Sequence, residues 1–153
     1  KKLEFSKTFG ATHLVNAKEN NAVEEILDIS NGGVDYAFDA IGVKVTMEQI
    51  LSATRGGGSG AENHGGMAVL IGMPATNKID INPELFMYHQ KIYRGSLGAT
   101  YPEKDFPYFL DLYRQGKFPI DKLVTTSFKL DDINDACNKL DSGQIAGRAI
   151  IKY

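Results

Sequence analysis

A chain of 153 residues is long enough for one domain and a piece of another, and can bury roughly two thirds of its unfolded surface. Its 17 basic and 19 acidic residues nearly cancel, to a net charge of -2, and are spread along the chain. That leaves no basic stripe for nucleic acid and no polybasic anchor for a membrane. The longest apolar run, residues 67–73, is far short of the roughly 20 residues of a spanning helix, and no signal peptide opens the chain. The single cysteine, Cys137, can make no internal disulfide, and a soluble, cytoplasmic protein is expected.

Lys1-Lys2-Leu3-Glu4 is not a natural start: there is no initiator Met, and Leu3, Phe5 and Phe9 read as mid-helix, so more chain is expected before Lys1. Gly10 is placed to cap that helix, and residues 11–15 have the character of a buried strand. Asn21 and Glu24 have the spacing of a capping box, and Val23, Ile26 and Leu27 fall at helical intervals. The spacing predicts a helix to about residue 30, ended by Asn31-Gly32-Gly33. Residues 34–42 read as a mostly buried strand with a glycine at its carboxyl end. A second capping box, Thr46 to Gln49, starts a helix with Met47, Ile50 and Leu51 as its apolar stripe. Residues 67–73 form the most apolar strand, again meeting glycine and then Pro74. Asn82-Pro83 fits the start of a short helix to about residue 89, followed by a strand over 91–97. This alternation predicts an α/β fold with a parallel sheet and helices on both faces.

Past Gly98 the rhythm changes. Phe106, Phe109, Leu110 and Tyr113 mark an amphipathic helix stopped at Gly116, followed by a short strand over 123–128. A helix around Ile133, Ala136, Cys137 and Leu140 stops at Gly143, and residues 149–153 close as a strand. A boundary is expected near residue 98, with an α+β segment of a second domain beyond it.

The glycine cluster Gly56-Gly57-Gly58-Ser59-Gly60, with Gly65 and Gly66 behind it, invites a phosphate-cradling role. Its position argues against one. A dinucleotide fingerprint lies between a strand and the following helix, whereas here a helix precedes and a strand follows, so a mobile surface connection is expected. The cluster also misses Gly-x-Ser-x-Gly, because Ala61 stands at the last position. Tyr113 and Lys117 have the Tyr-x3-Lys spacing of a catalytic pair, but Gly116 should end the helix between them. His13, His64 and His89 are scattered, with no ligand spacing among them. Cys137 reads as a small core residue, and Asp35 with Asp39 as a polar strand edge.

Five segments, in order, resemble the zinc-type medium-chain alcohol dehydrogenases. They are Lys2-Leu3-Glu4-Phe5-Ser6-Lys7-Thr8-Phe9-Gly10-Ala11-Thr12, then Asn31-Gly32-Gly33-Val34-Asp35-Tyr36-Ala37-Phe38-Asp39-Ala40-Ile41-Gly42, and Val69-Leu70-Ile71-Gly72-Met73-Pro74. Further on come Arg94-Gly95-Ser96-Leu97-Gly98 and Ser142-Gly143-Gln144-Ile145-Ala146-Gly147-Arg148-Ala149-Ile150-Ile151. The resemblance covers nearly the whole chain. It implies a partial dinucleotide-binding domain over 1–98, Rossmann-like but lacking its first two strands, and a returning segment of the catalytic domain over 99–153. In the family order 3-2-1-4-5-6 the missing strands lie between strands three and four. The strand over 11–15 should then be displaced, or the flank of the 34–41 strand should pair with another molecule.

The resemblance also implies roles for single residues. Lys2 matches a lysine on the adenosine ribose, and Arg148 an arginine on the pyrophosphate. Ala40, Ile41, Gly42, Ile71, Gly72 and Met73 stand at the carboxyl ends of strands, where an open parallel sheet presents ligands. Ser96, Leu97 and Gly98 match the stretch whose backbone holds the nicotinamide carboxamide. Two departures stand out: a longer glycine-rich insertion before Met67, and Val43 where some relatives carry a ribose-binding arginine. NAD or NADP and zinc are implied for the parent enzyme, with the zinc ligands and the Gly-x-Gly-x-x-Gly turn upstream of Lys1. No catalytic or metal-binding residue is assigned in this chain, which is expected to be inactive alone. The implied reaction is reversible oxidation of a small alcohol to an aldehyde or ketone. The implied assembly is a homodimer or higher homo-oligomer through the strand near 91–97. A zinc-independent quinone reductase of the same superfamily and a non-catalytic nucleotide-binding module are the alternatives.

Overall fold

The computed structural model describes residues 2–58, 63–98 and 101–153. In chain order its elements are α1 (Lys2–Ser6), α2 (Ala22–Ile29), β1 (Tyr36–Asp39), α3 (Lys44–Ser52), β2 (Met67–Leu70), α4 (Glu84–Met87) and β3 (Ile92–Gly95). They continue with α5 (Pro102–Arg114), β4 (Val124–Lys129), α6 (Ile133–Asp141) and β5 (Arg148–Lys152). Two compact units result, one of Val15–Thr100 and one of Lys1–Leu14 with Tyr101–Tyr153.

In the Val15–Thr100 unit the sheet is parallel, in the order β1-β2-β3. Register places Ala37, Ala68 and Tyr93 side by side, so all three share one face. Helix α3 lays its stripe of Met47, Ile50 and Leu51 on that face, and Ile81 and Leu85 close the cluster. Full burial of Leu51 contributes about 2 kcal/mol. Two side chains near β3 then tie the sheet to α3. The Lys91 ammonium donates to the carbonyls of Leu51 and Ser52, at 3.2 Å each, and of Thr54 at 2.6 Å. Carbonyls at a helix end lack the regular intrahelical partner and carry the negative end of the helix dipole, so a cation suits them twice over. Burial pulls the Lys91 pKa below its ordinary value. The Tyr93 hydroxyl donates to the Met47 carbonyl at 3.0 Å.

Asn21 caps α2 as its spacing predicts, its side-chain oxygen accepting from the amides of Val23 (3.2 Å) and Glu24 (3.5 Å). Helix α3 starts earlier than predicted, with Val43 as its extended N-cap. Thr46 lies inside the first turn and its hydroxyl donates back to the Val43 carbonyl at 3.1 Å, so it does not cap the amides ahead of it.

Two strand expectations need correction. Residues 11–15 form no strand and join no ladder. Residues 34–42 form only the short β1, whose Tyr36 and Phe38 are 63% and 60% exposed instead of buried. Both have one cause: among the described residues no strand lies on the far side of β1, so 11–15 finds no ladder and β1 becomes a sheet edge.

In the other unit α1 runs into a 3-10 turn closed by Gly10, whose φ of +95° suits the left-handed cap. Strands β4 and β5 pair in parallel beside α6. Helix α6 buries Ala136 but leaves Cys137 exposed, so the cysteine is not the core residue expected of it. Neighbours along a helix point about 100° apart, and here only one of the pair faces inward. The α5 stripe of Phe106, Phe109 and Leu110 is likewise exposed.

Candidate functional site

Two turns meet at the carboxyl ends of β1 and β2. The main-chain oxygen of Asp39 accepts from the amides of both Ile71 and Gly72, at 2.8 Å each, and the Gly42 carbonyl accepts from Ala75 at 2.8 Å. The approach leaves no room for side chains between them. A Cβ on Gly42 would stand 2.0 Å from the Met73 carbonyl oxygen, and one on Gly72 would stand 2.4 Å from the Gly42 nitrogen. Gly42 also holds φ at +85°.

Asp39 itself is 2% exposed. Its Oδ1 accepts from the amides of Ile41 (2.8 Å) and Gly42 (3.1 Å), and its Oδ2 from Gly42 (3.2 Å). The side chain thus substitutes for a turn's main-chain acceptor, the habit that makes Asp common where a chain reverses. Asp39 is therefore not half of a polar edge. Asp35 is, exposed and ion-paired to Arg55. Patterning reads Asp39 as a polar edge and not as the residue that closes this turn, although an Asp ending an apolar strand three residues before a glycine is a turn signal.

With these amides engaged, and that of Ser96 donating to the Leu70 carbonyl at 2.9 Å, the rim offers few donors. What it presents is apolar. Ile41 is 66%, Ile71 51%, Met73 85% and Leu97 90% exposed, with Ala40, Ser96 and Gly98 exposed among them. Such a surface suits the flat face of a heteroaromatic ring better than a phosphate.

The structure brings Ala40, Ile41, Gly42, Ile71, Gly72 and Met73 together, with Ser96 tied to the end of β2. Lys2 and Arg148 belong to the other unit. Both are exposed. The Lys2 ammonium lies 3.8 Å from where a Cβ on Gly143 would stand, and Arg148 opens β5 just past Gly147, whose own Cβ would lie 3.2 Å from Phe5. Helix α1, which carries Lys2, and the 143–147 turn, which leads into Arg148, are therefore neighbours.

Gly57, Gly58, Gly65 and Gly66 of the cluster are tied by main-chain bonds. Gly57 donates to the His89 carbonyl (2.7 Å), Gly58 to Asn63 (3.1 Å), Gly65 to Gln90 (3.0 Å) and Gly66 to Arg55 (2.9 Å). These bonds make the arms of a hairpin at the amino ends of the strands. Ser59, Gly60 and Ala61 lie outside the described residues. Helix α5 ends at Arg114, between Tyr113 and Lys117. Among the described residues no three His, Cys, Asp or Glu side chains gather as a metal site, so this donor set does not fit zinc and no step is assigned through it.

A parallel sheet with glycine turns gathered at its carboxyl ends defines a Rossmann-like α/β protein. Residues 1–115 match the zinc-binding dehydrogenase family. The chain is 31% identical over 142 residues to a probable S-(hydroxymethyl)glutathione dehydrogenase 1 of Schizosaccharomyces pombe, covering 92% of this chain and 36% of that protein. It is 31% identical over 154 residues to a geraniol dehydrogenase of Carpoglyphus lactis, covering 99% and 38%. The crystal structure of benzyl alcohol dehydrogenase from Acinetobacter calcoaceticus superposes with a TM-score of 0.83 at 30% identity, over 98% of this chain and 39% of that one. The chain belongs to the zinc-type medium-chain alcohol dehydrogenase family. It spans under two fifths of the length of these relatives. No helix among the described residues is long and apolar enough to cross a membrane.

Proposed function

We propose that this chain forms one wall of the cofactor cleft in an NAD(P)-dependent alcohol dehydrogenase that oxidises a small alcohol to an aldehyde or ketone. The observation that carries the reading is the rim: two interlocked glycine turns hold Ile41, Ile71 and Met73 exposed at the ligand-presenting end of a parallel sheet. When bound, a nicotinamide dinucleotide supplies the hydride acceptor. The chain's own residues bind and orient it. Ile41, Ile71 and Met73 pack against its ring faces and exclude water, and the stretch Ser96, Leu97 and Gly98 meets the carboxamide with its main chain. Lys2 holds the adenosine ribose, and Arg148 pairs with the pyrophosphate through a planar fork of donors. Zinc ligands are assigned to the part of the relatives that this chain does not span.

The boundary near residue 98, with a dinucleotide-binding part over 1–98 and a catalytic-domain part over 99–153, belongs to the same proposal. The passage from one unit to the other between Thr100 and Tyr101 supports the boundary, whereas Lys1–Leu14 group with Tyr101–Tyr153 and not with the rest of the 1–98 part. Dimer pairing through the strand near 91–97 is supported by the place of β3 at a sheet edge. A cytoplasmic location is supported by the exposed free thiol of Cys137. The deciding experiment expresses the whole coding sequence around this segment with zinc and follows dinucleotide reduction across a panel of primary and secondary alcohols. Alcohol-dependent reduction is expected. Reduction of quinones alone, or no turnover of any alcohol by folded protein, would contradict the reading.

A further inference from the structure

We propose that Asp39 is the positioning residue of the rim, one buried residue that holds both glycine turns in the register from which they meet a dinucleotide. For its ligand the inference rests on the function proposed above; for its mechanism it rests on the hydrogen bonds of the fold.

Asp39 uses its two kinds of oxygen in different directions. The carboxylate reaches forward along the chain to the amides of Ile41 and Gly42, which fixes the Ala40 peptide between them. The main-chain oxygen reaches sideways to the amides of Ile71 and Gly72, and so sets where β2 turns away from the sheet. A carbonyl oxygen has two lone pairs and can serve two amides; the forward bonds close a turn around the Asp39–Ala40 peptide, so the carbonyl that meets Ile71 and Gly72 belongs to a restrained peptide. The two turns are also in steric contact, since the Gly42 nitrogen lies where a Gly72 side chain would begin. Neither turn can shift alone. Asp39 is too buried to touch a ligand, so it acts through Ile41, Ile71 and Met73.

The test reads amide hydrogen exchange by NMR on the 153-residue chain, as wild type, Asp39→Ala and Asp39→Asn. Asp39→Ala should speed exchange about tenfold or more at Ile41, Gly42, Ile71 and Gly72 together, leaving α2 unchanged. Asp39→Asn keeps an oxygen for the Ile41 and Gly42 amides and should restore all four to within about threefold. Acceleration at Ile41 and Gly42 alone would overturn the coupling. If Asp39→Ala does not fold, Asp39→Ser takes its place: faster exchange at all four amides supports the coupling, and faster exchange at Ile41 and Gly42 alone overturns it. Titration with NAD of the whole-length protein carrying the same substitutions separates the two halves. Binding weakened about tenfold in the variant and rescued by Asn supports the positioning role. Unchanged affinity despite loosened amides overturns it. Whole-length wild-type protein that binds no NAD sinks the dinucleotide reading, and the exchange pattern then still judges the hold of Asp39 on both turns.

Discussion

Two glycine-rich regions stand at opposite ends of one parallel sheet. At the amino ends, the hairpin arms that carry Gly56, Gly57, Gly58, Gly65 and Gly66 are the denser in glycine, and their amides bond inward to His89, Gln90 and Arg55. At the carboxyl ends, only Gly42 and Gly72 meet, yet around them Ile41, Ile71 and Met73 stand exposed. The difference teaches that glycine density does not locate a ligand site in an α/β fold. Strand polarity is the better guide, because an open parallel sheet presents ligands outside the carboxyl ends of its strands, the end at which the rim lies.

The comparison breaks hardest at Gly42. Gly42→Val adds a β-branched side chain at φ +85° and drives it into the Met73 carbonyl. A loss of about 3 kcal/mol or more in urea unfolding is expected, with the rim disordered first. Lys91 probes the opposite end of the sheet, near the hairpin. Lys91→Met strips the carbonyls of Leu51, Ser52 and Thr54 of their shared donor and should cost about 2 kcal/mol, with the rim's amide shifts unmoved.

Tyr93→Phe is milder, about 1 kcal/mol for the bond to Met47. It also carries a pH signature. Burial, and secondarily the Asp39 carboxylate, raise the Tyr93 pKa above its ordinary 10.0. The neutral phenol is thus favoured in the fold, so its contribution is whole below pH 10.0 and lost as pH rises through the folded value. The difference between wild-type and Tyr93→Phe stability, measured against pH, should shrink in that alkaline window. The smallest effect is expected from Arg55→Ala beside the hairpin. Its pair with Asp35 is largely solvent-exposed, and the change should stay within about 0.5 kcal/mol and leave dinucleotide affinity alone.

Much of this arrangement was legible in the sequence. Periodicity marked α3 through Met47, Ile50 and Leu51, and glycine at two strand ends marked the rim. Asn21 announced its helix because capping is local chemistry. The misreadings involved partners distant along the chain. Residues 11–15 have strand character but strandhood needs a neighbour, and β1 is exposed because it is an edge. Asp39 reads as a polar strand edge and Lys91 only as the start of a strand, because a buried polar group is recognised by what surrounds it. The spacing of Lys91 and Tyr93, two apart and so on one face of the strand, was the available clue.

The central claim, that the carboxyl-end rim and not the hairpin faces a nicotinamide dinucleotide, is tested most directly by amide NMR during titration of the whole-length protein with NAD and NADP. Saturable shifts are expected at Ile41, Gly42, Ile71, Gly72, Met73 and Ser96 to Gly98, with Gly56, Gly57, Gly58 and Gly65 unmoved. Shifts centred on the hairpin glycines, with the rim silent, would contradict it.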